Sequence, residues 1–183
     1  MTNARDGMRL WILGLLLFLP ACAGQEGPSA SDTPPATISA SVSLSPTTGN
    51  STQGTLTLTE EAGGVRVAGQ ITGLSPGEHG IHVHETGDCS APDASSAGDH
   101  YNPATTHHGG PEATPHHVGD LGNITADTNG TAQIDKVFPA LALQGARSVL
   151  GRSVVVHAEK DDLSSQPSGA SGARVACGVI TLK

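Results

Sequence analysis

Eight short segments in which apolar and polar residues alternate dominate this sequence of 183 residues. Alternation with a period of two is typical of a β-strand that buries one face. Clusters of Gly, Pro, Asn and Asp separate the segments, as turns separate antiparallel strands. We therefore predict an all-β domain with eight antiparallel strands, closed as a barrel or packed as a sandwich. The segments are Ile38–Leu44, Gly54–Thr59, Val65–Thr72, Gly80–Glu85, Leu121–Thr125, Thr131–Val137, Ser153–Ala158 and Arg174–Leu182.

The predicted domain contains few aromatic residues. Tyr101 and Phe138 are the only ones after residue 36, so the core must consist of Val, Ile, Leu and Ala. The stretch from Leu141 to Leu150 has room for one helical turn, although a loop that crosses between strands fits it as well.

The first 21 residues have the pattern of an export signal. Arg5 and Arg9 precede an apolar run from Leu10 to Leu19, which is much shorter than the roughly 20 residues that span a bilayer. The run ends in Leu-Pro-Ala-Cys, which resembles the lipobox of bacterial lipoproteins. We therefore predict cleavage before Cys22 and lipidation of that cysteine; the alternative is an ordinary secretory signal in which Cys22 is incidental.

The cysteine count agrees with a lipidated Cys22. Three cysteines in an exported protein leave one without a disulfide partner. If Cys22 carries lipid, Cys89 and Cys177 remain as a pair in an oxidising compartment. We therefore predict a Cys89–Cys177 disulfide and a protein of the periplasm or cell envelope, held at the membrane only by its lipid anchor.

Two further divisions follow from composition. Residues 22–36 hold no large apolar side chain and are typical of a flexible tether, whereas residues 37–183 have the length of one domain. Within the domain, the connections 86–119 and 159–173 are too long to be turns, and loops of that length are usually functional or disordered. Most of the remaining histidines lie in the first connection, which indicates a function for it.

His82 and His84 form the pattern of a metal site. They alternate with Ile81 and Val83, so a strand would place both imidazoles on one face and both apolar side chains in the core. Nitrogen ligands of this kind suit copper.

Six segments, taken together, resemble the copper/zinc superoxide dismutase family in order and spacing. The resemblance covers essentially all of the chain from Thr37 on, and it implies a Greek-key barrel or sandwich with copper and zinc as cofactors and superoxide anion as substrate. The segments are His79-Gly-Ile-His-Val-His-Glu, Ala97-Gly-Asp-His-Tyr-Asn-Pro, His108-Gly-Gly-Pro, His117-Val-Gly-Asp-Leu-Gly-Asn, Gly151-Arg-Ser-Val-Val-Val-His and Gly172-Ala-Arg-Val-Ala-Cys-Gly-Val-Ile.

The resemblance implies two ligand sets that share one histidine. His107 and His116 are alternatives to their neighbours, and we prefer His108 and His117 because Gly-Gly-Pro and Val-Gly-Asp follow them. Three imidazoles and one carboxylate form a closed set of the kind that holds zinc. The predicted copper ligands are His82, His84, His100 and His157, and the predicted zinc ligands are His100, His108, His117 and Asp120.

The resemblance also implies roles around the metals. Asp161 is expected to accept hydrogen bonds from one copper ligand and one zinc ligand, His82 and His108, and His79 to brace the strand without binding metal. Arg174 is expected to attract and orient the anionic substrate. His100, joined to both metals, is expected to act in catalysis by taking up and returning a proton.

The net charge of the chain limits which ligands it can bind. The chain carries nine basic and seventeen acidic residues, for a formal net charge of −8. This negative charge argues against nucleic acid as a ligand. The segment 163–173, where the family usually carries charges, has none. A non-catalytic metal buffer, a metal-free copper-delivery module and a copper-only variant are the alternatives, and the retained ligands and Arg174 disfavour them. The sequence leaves open whether the protein is a monomer or a homodimer.

Overall fold

The computed structural model describes residues 37–183. The predicted signal peptide, the lipidation site at Cys22 and the tether to residue 36 lie outside the described residues and stay predictions. Within residues 37–183, no helix combines the length and the hydrophobicity needed to cross a membrane.

Eight antiparallel strands close into a barrel in the order β1-β2-β3-β6-β5-β4-β7-β8. Strands β4, β5 and β6 lie side by side in chain order, and β3 lies beside β6, which is a Greek-key arrangement. The predicted all-β fold with eight strands is confirmed. The strands are β1 Ser39–Pro46, β2 Gln53–Glu61, β3 Gly64–Thr72, β4 Gly77–His84, β5 Asp120–Ala126, β6 Ala132–Phe138, β7 Ser153–His157 and β8 Arg174–Leu182.

The barrel interior is aliphatic, as the composition predicted. Alternate residues of each strand point inward, and on β1 the inward residues Ala40, Val42 and Leu44 are at most 3% exposed. Phe138 and Tyr101 are the aromatic members of the same buried cluster. The stretch that could hold a helical turn contains one short 3₁₀ turn, Gly145–Arg147, and a second such turn lies at Ser95–Ala97.

The predicted strand parity is seen at the two strands that carry histidines. Ile81 and Val83 of β4 belong to the main core, while the intervening histidines point to the other face. On β7, Val154 and Val156 join the main core, whereas Val155 packs in a separate small cluster with Cys177. The histidine-bearing face therefore lies outside the barrel, under the long connections.

A disulfide ties the first long connection to the barrel. Cys89 and Cys177 are bonded across 88 positions of sequence, which confirms the predicted pair. Cys177 lies in β8 and is paired in register with Val155 of β7. The bridge therefore holds the connection between β4 and β5 against the strands that frame the histidine face.

Candidate metal centre

Two sets of metal-binding side chains meet outside the barrel, and they share His100. In each set, one ligand atom from every residue lies within 4.8 Å of the others, and all members are buried. The sets are His82, His84, His100 and His157, and His100, His108, His117 and Asp120. The structure thus brings together the residues that the sequence predicted as copper and zinc ligands.

The strands fix the first set. His82 and His84 lie on β4, and antiparallel pairing with β7 places Ile81 opposite Val156, the residue before His157 at the end of β7. His100 joins them because it forms an isolated β-bridge with His84. Neighbouring backbone bonds hold this bridge, since Tyr101 N–H donates to the carbonyl of Val83 at 2.8 Å.

Six buried ring nitrogens have no hydrogen-bond partner in the described chain. Buried polar atoms are nearly always paired, so these nitrogens, which are gathered in two ligand sets, need a further partner in each set. A cation that accepts nitrogen lone pairs fits this donor set, and four of the six nitrogens belong to the copper set. The atoms are His82 Nδ1, His84 Nε2, His100 Nε2, His157 Nε2, His108 Nδ1 and His117 Nδ1.

Asp120 organises the second set. Its Oδ1 lies 2.9 Å from His100 Nδ1, 3.0 Å from His108 Nδ1 and 3.2 Å from His117 Nδ1. These separations approach the edge of about 3.3 Å that a tetrahedron has when its metal–ligand bonds are about 2.0 Å. The remaining oxygen, Oδ2, accepts the backbone N–H groups of His117 and Gly109. These three separations and the types of donor atom fit a closed zinc site.

Apart from His100, the two sets contain five histidines, and in each of them the ring nitrogen that faces away from its set is held by an oxygen. Such outer contacts fix the ring orientation and the tautomer that leaves the first nitrogen free for a metal. His82 Nε2 and His108 Nε2 donate to the two oxygens of Asp161 at 2.8 and 3.0 Å, as predicted. The other three rings are held by backbone carbonyl oxygens. The distances from ring nitrogen to oxygen are 2.8 Å for His84 and Gly98, 3.3 Å for His157 and Gly172, and 3.1 Å for His117 and Thr106.

Burial keeps three histidines of the copper set neutral. It lowers the pKa of His82 to about 4, that of His84 to about 2 and that of His157 to about 3. Neutral imidazoles carry the lone pairs that metal binding requires. His108 differs: burial would lower its pKa, but the adjacent carboxylates of Asp120 and Asp161 raise the pKa to about 9. A metal at this set would therefore displace a proton from His108.

The remaining histidines lie outside both sets. His107 is exposed and His116 is half-buried, which agrees with the choice of His108 and His117. His79 is buried, with its ring 2.9 Å from the carbonyl oxygen of His157 and 2.8 Å from that of Ser75. It therefore braces β4 against the end of β7, as the sequence predicted.

Arg174 is fixed beside the copper set. Its Nη1 donates to the carbonyl of Ala94 and its Nη2 to that of Gly98, both at 2.7 Å. Gly98 also accepts the bond from His84, so one carbonyl positions both a ligand and the guanidinium. Arg174 lines a cavity of about 410 Å³ together with His84, His100 and His157. A small anion entering this cavity meets the guanidinium and the copper set together.

Two amide side chains around the site were missed from the sequence. Asn123 bonds both backbone groups of Asp161, donating to its carbonyl at 2.9 Å and accepting its N–H at 2.8 Å. Gln166 does the same to His108, at 2.9 and 2.8 Å. Nothing in the sequence distinguishes these amides from surface residues, because their partners are backbone groups far away in the chain.

Comparison with known proteins identifies the family. The copper/zinc superoxide dismutase (SODC) family model matches residues 52–180. Superoxide dismutase [Cu-Zn] 2 of Mesembryanthemum crystallinum is 43% identical over 141 residues, which cover 73% of this chain and 90% of that protein. A solved structure, described as the clock protein EA4, is 44% identical with a TM-score of 0.72, and the match covers 78% of this chain and 93% of that one.

A closed all-β barrel with two adjoining histidine-rich sets on its outside defines a dinuclear metalloprotein. The chain belongs to the copper/zinc superoxide dismutase family, whose members use copper and zinc. The predicted family, enzyme class and cofactors are confirmed. The roles of individual residues, including the sharing of His100 by two metals, stay predictions that the geometry supports.

Proposed function

We propose that the protein converts two superoxide anions and two protons into one dioxygen and one hydrogen peroxide. When bound, copper supplies the one-electron exchange and zinc holds its loop in place. The observation that carries the proposal is the pair of buried ligand sets that meet at His100, on a chain of this family. Metal content and a superoxide dismutation assay on the purified protein test it.

Arg174 binds and orients the substrate. Two of its N–H groups are committed to backbone carbonyls, which fixes the plane of the guanidinium and leaves its other donors for an anion. A charge-assisted hydrogen bond to a superoxide oxygen would compensate for the loss of water around the anion. The immobilised guanidinium thus places the substrate at the copper set without further side-chain ordering.

His100 takes up and returns a proton during the cycle. Its Nδ1 lies against Asp120 at 2.9 Å, while its Nε2 faces the copper set without a partner. In one half of the cycle Nε2 takes a proton, and in the other half it returns that proton to the peroxide product. Because Asp120 and the zinc set hold the other nitrogen, the ring stays in position while Nε2 changes partner.

The His157→Ala variant tests the ligand assignment. The variant should fold and keep zinc, because His157 belongs to the copper set alone, but it should lose dismutation. His107→Ala is the matched control, since His107 is exposed and outside both sets. Full, copper-dependent activity in the His157→Ala protein would refute the assignment.

A metal buffer is the alternative that the assay must exclude. Storage of copper or zinc needs ligands but no fixed guanidinium at an open cavity, and Arg174 is such a guanidinium. A protein that binds both metals stoichiometrically and shows no dismutation would favour storage.

We also propose that the mature protein is exported and anchored by lipid at Cys22. The signal-like first 21 residues support this location, as does the Cys89–Cys177 disulfide, which is stable in oxidising compartments. The Cys22→Ala variant should appear in the soluble fraction without the added mass of acyl chains. Equal membrane association of native and variant proteins would contradict the anchor, and sedimentation of the released protein would show whether it dimerises.

A further inference from the structure

Gln166 makes a two-bond contact with the backbone of His108. Its Oε1 accepts the N–H of His108 at 2.8 Å, and its Nε2 donates to the carbonyl of His108 at 2.9 Å. The same Nε2 donates to the carbonyl of Ser164 at 3.1 Å. One side chain therefore satisfies both backbone groups of a residue of the zinc set, as a neighbouring strand would.

The segment that carries Gln166 also holds the imidazole of His108. Asp161, five residues earlier, accepts a hydrogen bond from His108 Nε2 at 3.0 Å. Gly169, three residues later, has a φ of +70°, and a side chain there would overlap Asp161 Oδ1 and approach His108 Nε2. The chain from Asp161 to Gly169 thus encloses both the ring and the backbone of His108.

The same segment forms one wall of the copper cavity. Gln166, Pro167 and Ser168 line the cavity of about 410 Å³ together with the ligands His84 and His100. A residue that binds in the zinc set is therefore joined through Gln166 to the surface that a substrate passes.

We propose that Gln166 is a positioning residue that couples zinc binding at His108 to the order of the cavity wall, residues 163–170. Metal binding fixes the position of His108, and the two backbone bonds transmit that position to the wall. Because binding linkage is reciprocal, a wall held by Gln166 must in turn strengthen zinc binding. The inference rests on the proposed function only in that the cavity admits superoxide; the coupling itself requires zinc alone.

The test compares three variants of the full-length, copper-free protein. Gln166→Ala removes both bonds, and Gln166→Glu keeps the acceptor but lacks the donor at neutral pH. Gln144→Ala is the matched control, because Gln144 is an exposed glutamine in the connection between β6 and β7. Two quantities are measured: the zinc dissociation constant by competition with a chelator, and amide hydrogen exchange of residues 163–170 with and without zinc.

In the native protein, zinc should slow exchange of the wall amides. Gln166→Ala should weaken zinc binding about tenfold, the lower range for loss of an outer contact, and should reduce the zinc-dependent slowing severalfold. Both quantities for Gln166→Glu should fall between those of the native protein and those of Gln166→Ala, and Gln144→Ala should match the native protein. A merely structural role would speed exchange equally with and without zinc.

Native-like zinc affinity together with native-like zinc-dependent slowing in Gln166→Ala would overturn the proposal, as would an equal acceleration in both metal states. Neither readout uses dismutation. A metal-loaded protein without activity would therefore refute the proposed function and leave this coupling standing, and the reverse outcome is equally distinguishable.

Discussion

Asp161 is the carboxylate on which both ligand sets depend. It is fully buried, and its two oxygens accept hydrogen bonds from His82 Nε2 and His108 Nε2. The Asp161→Asn variant keeps the shape of the side chain but replaces one acceptor oxygen with an NH₂ donor. A donor that faces the N–H of an imidazole cannot bond to it. One of the two rings must therefore lose its partner, while the protein retains its packing.

The size of the effect follows from the kind of contact removed. Loss of an outer hydrogen-bond partner commonly weakens a metal site about 10–100-fold, or about 1.4–2.8 kcal/mol. Removal of the charge weakens the surviving contact as well, since charge-assisted hydrogen bonds are the stronger ones. Nitrogen-rich sites bind copper more tightly than zinc. We therefore expect zinc to be lost first as the concentration of a chelator rises.

Competition titrations with a chromophoric chelator measure both affinities, and circular dichroism checks that the variant folds. Asp162→Asn is the matched control, because Asp162 is exposed and its carboxylate accepts hydrogen bonds from the neighbouring Ser164 and Ser165, not from a ligand histidine. The control should bind both metals like the native protein. A folded Asp161→Asn protein with zinc and copper affinities within about twofold of native would refute the reasoning.

Three other changes have defined outcomes. Arg174→Gln should lower the rate constant for superoxide about 10–100-fold at equal copper content, the value of one charged hydrogen bond; an unchanged rate in pulse radiolysis would exclude substrate binding by Arg174. Replacing Cys89 and Cys177 by serine should reduce the free energy of unfolding in urea by about 4 kcal/mol through loop entropy, and a loss below about 1 kcal/mol would contradict that account. Arg152→Gln removes a guanidinium 3.5 Å from the centre of the Tyr101 ring and a 2.7 Å bond to the carbonyl of Glu85. It should cost about 1–3 kcal/mol in the same assay, whereas the exposed Arg147→Gln control should cost almost nothing.

The metal ligands could be predicted from the sequence because two independent regularities point to them. Strand parity places His82 and His84 on one face, and the structure shows Ile81 and Val83 on the other. The spacing of the family's segments supplies the histidines of the long connection, which have no periodicity of their own. Both regularities are patterns of residue type along the chain, so they can be seen in a single sequence.

Apart from the bonds to Asp161, the contacts that orient the ligands could not be predicted in the same way. Gly98, Thr106 and Gly172 act through their carbonyl oxygens, and every residue has one. Gln166 and Asn123 bind backbone groups 58 and 38 positions away. Such contacts depend on how two irregular connections pack against each other, which neither composition nor periodicity encodes.

Because of how charge is distributed in this protein, only charges at the site itself can attract the substrate. Three of the cations in the described chain are paired away from the cavity, Arg66 with Asp135, Lys136 with Glu112 and Lys160 with Glu78. Charges separated by more than about 8 Å are largely screened at physiological salt. An anion at the cavity therefore responds to Arg174, to the acidic Glu85 and Asp99 that also line it, and to the ions that the ligand sets hold. Since segment 163–173 adds no charge, a local guanidinium beside a dinuclear site must overcome the repulsion of an acidic protein.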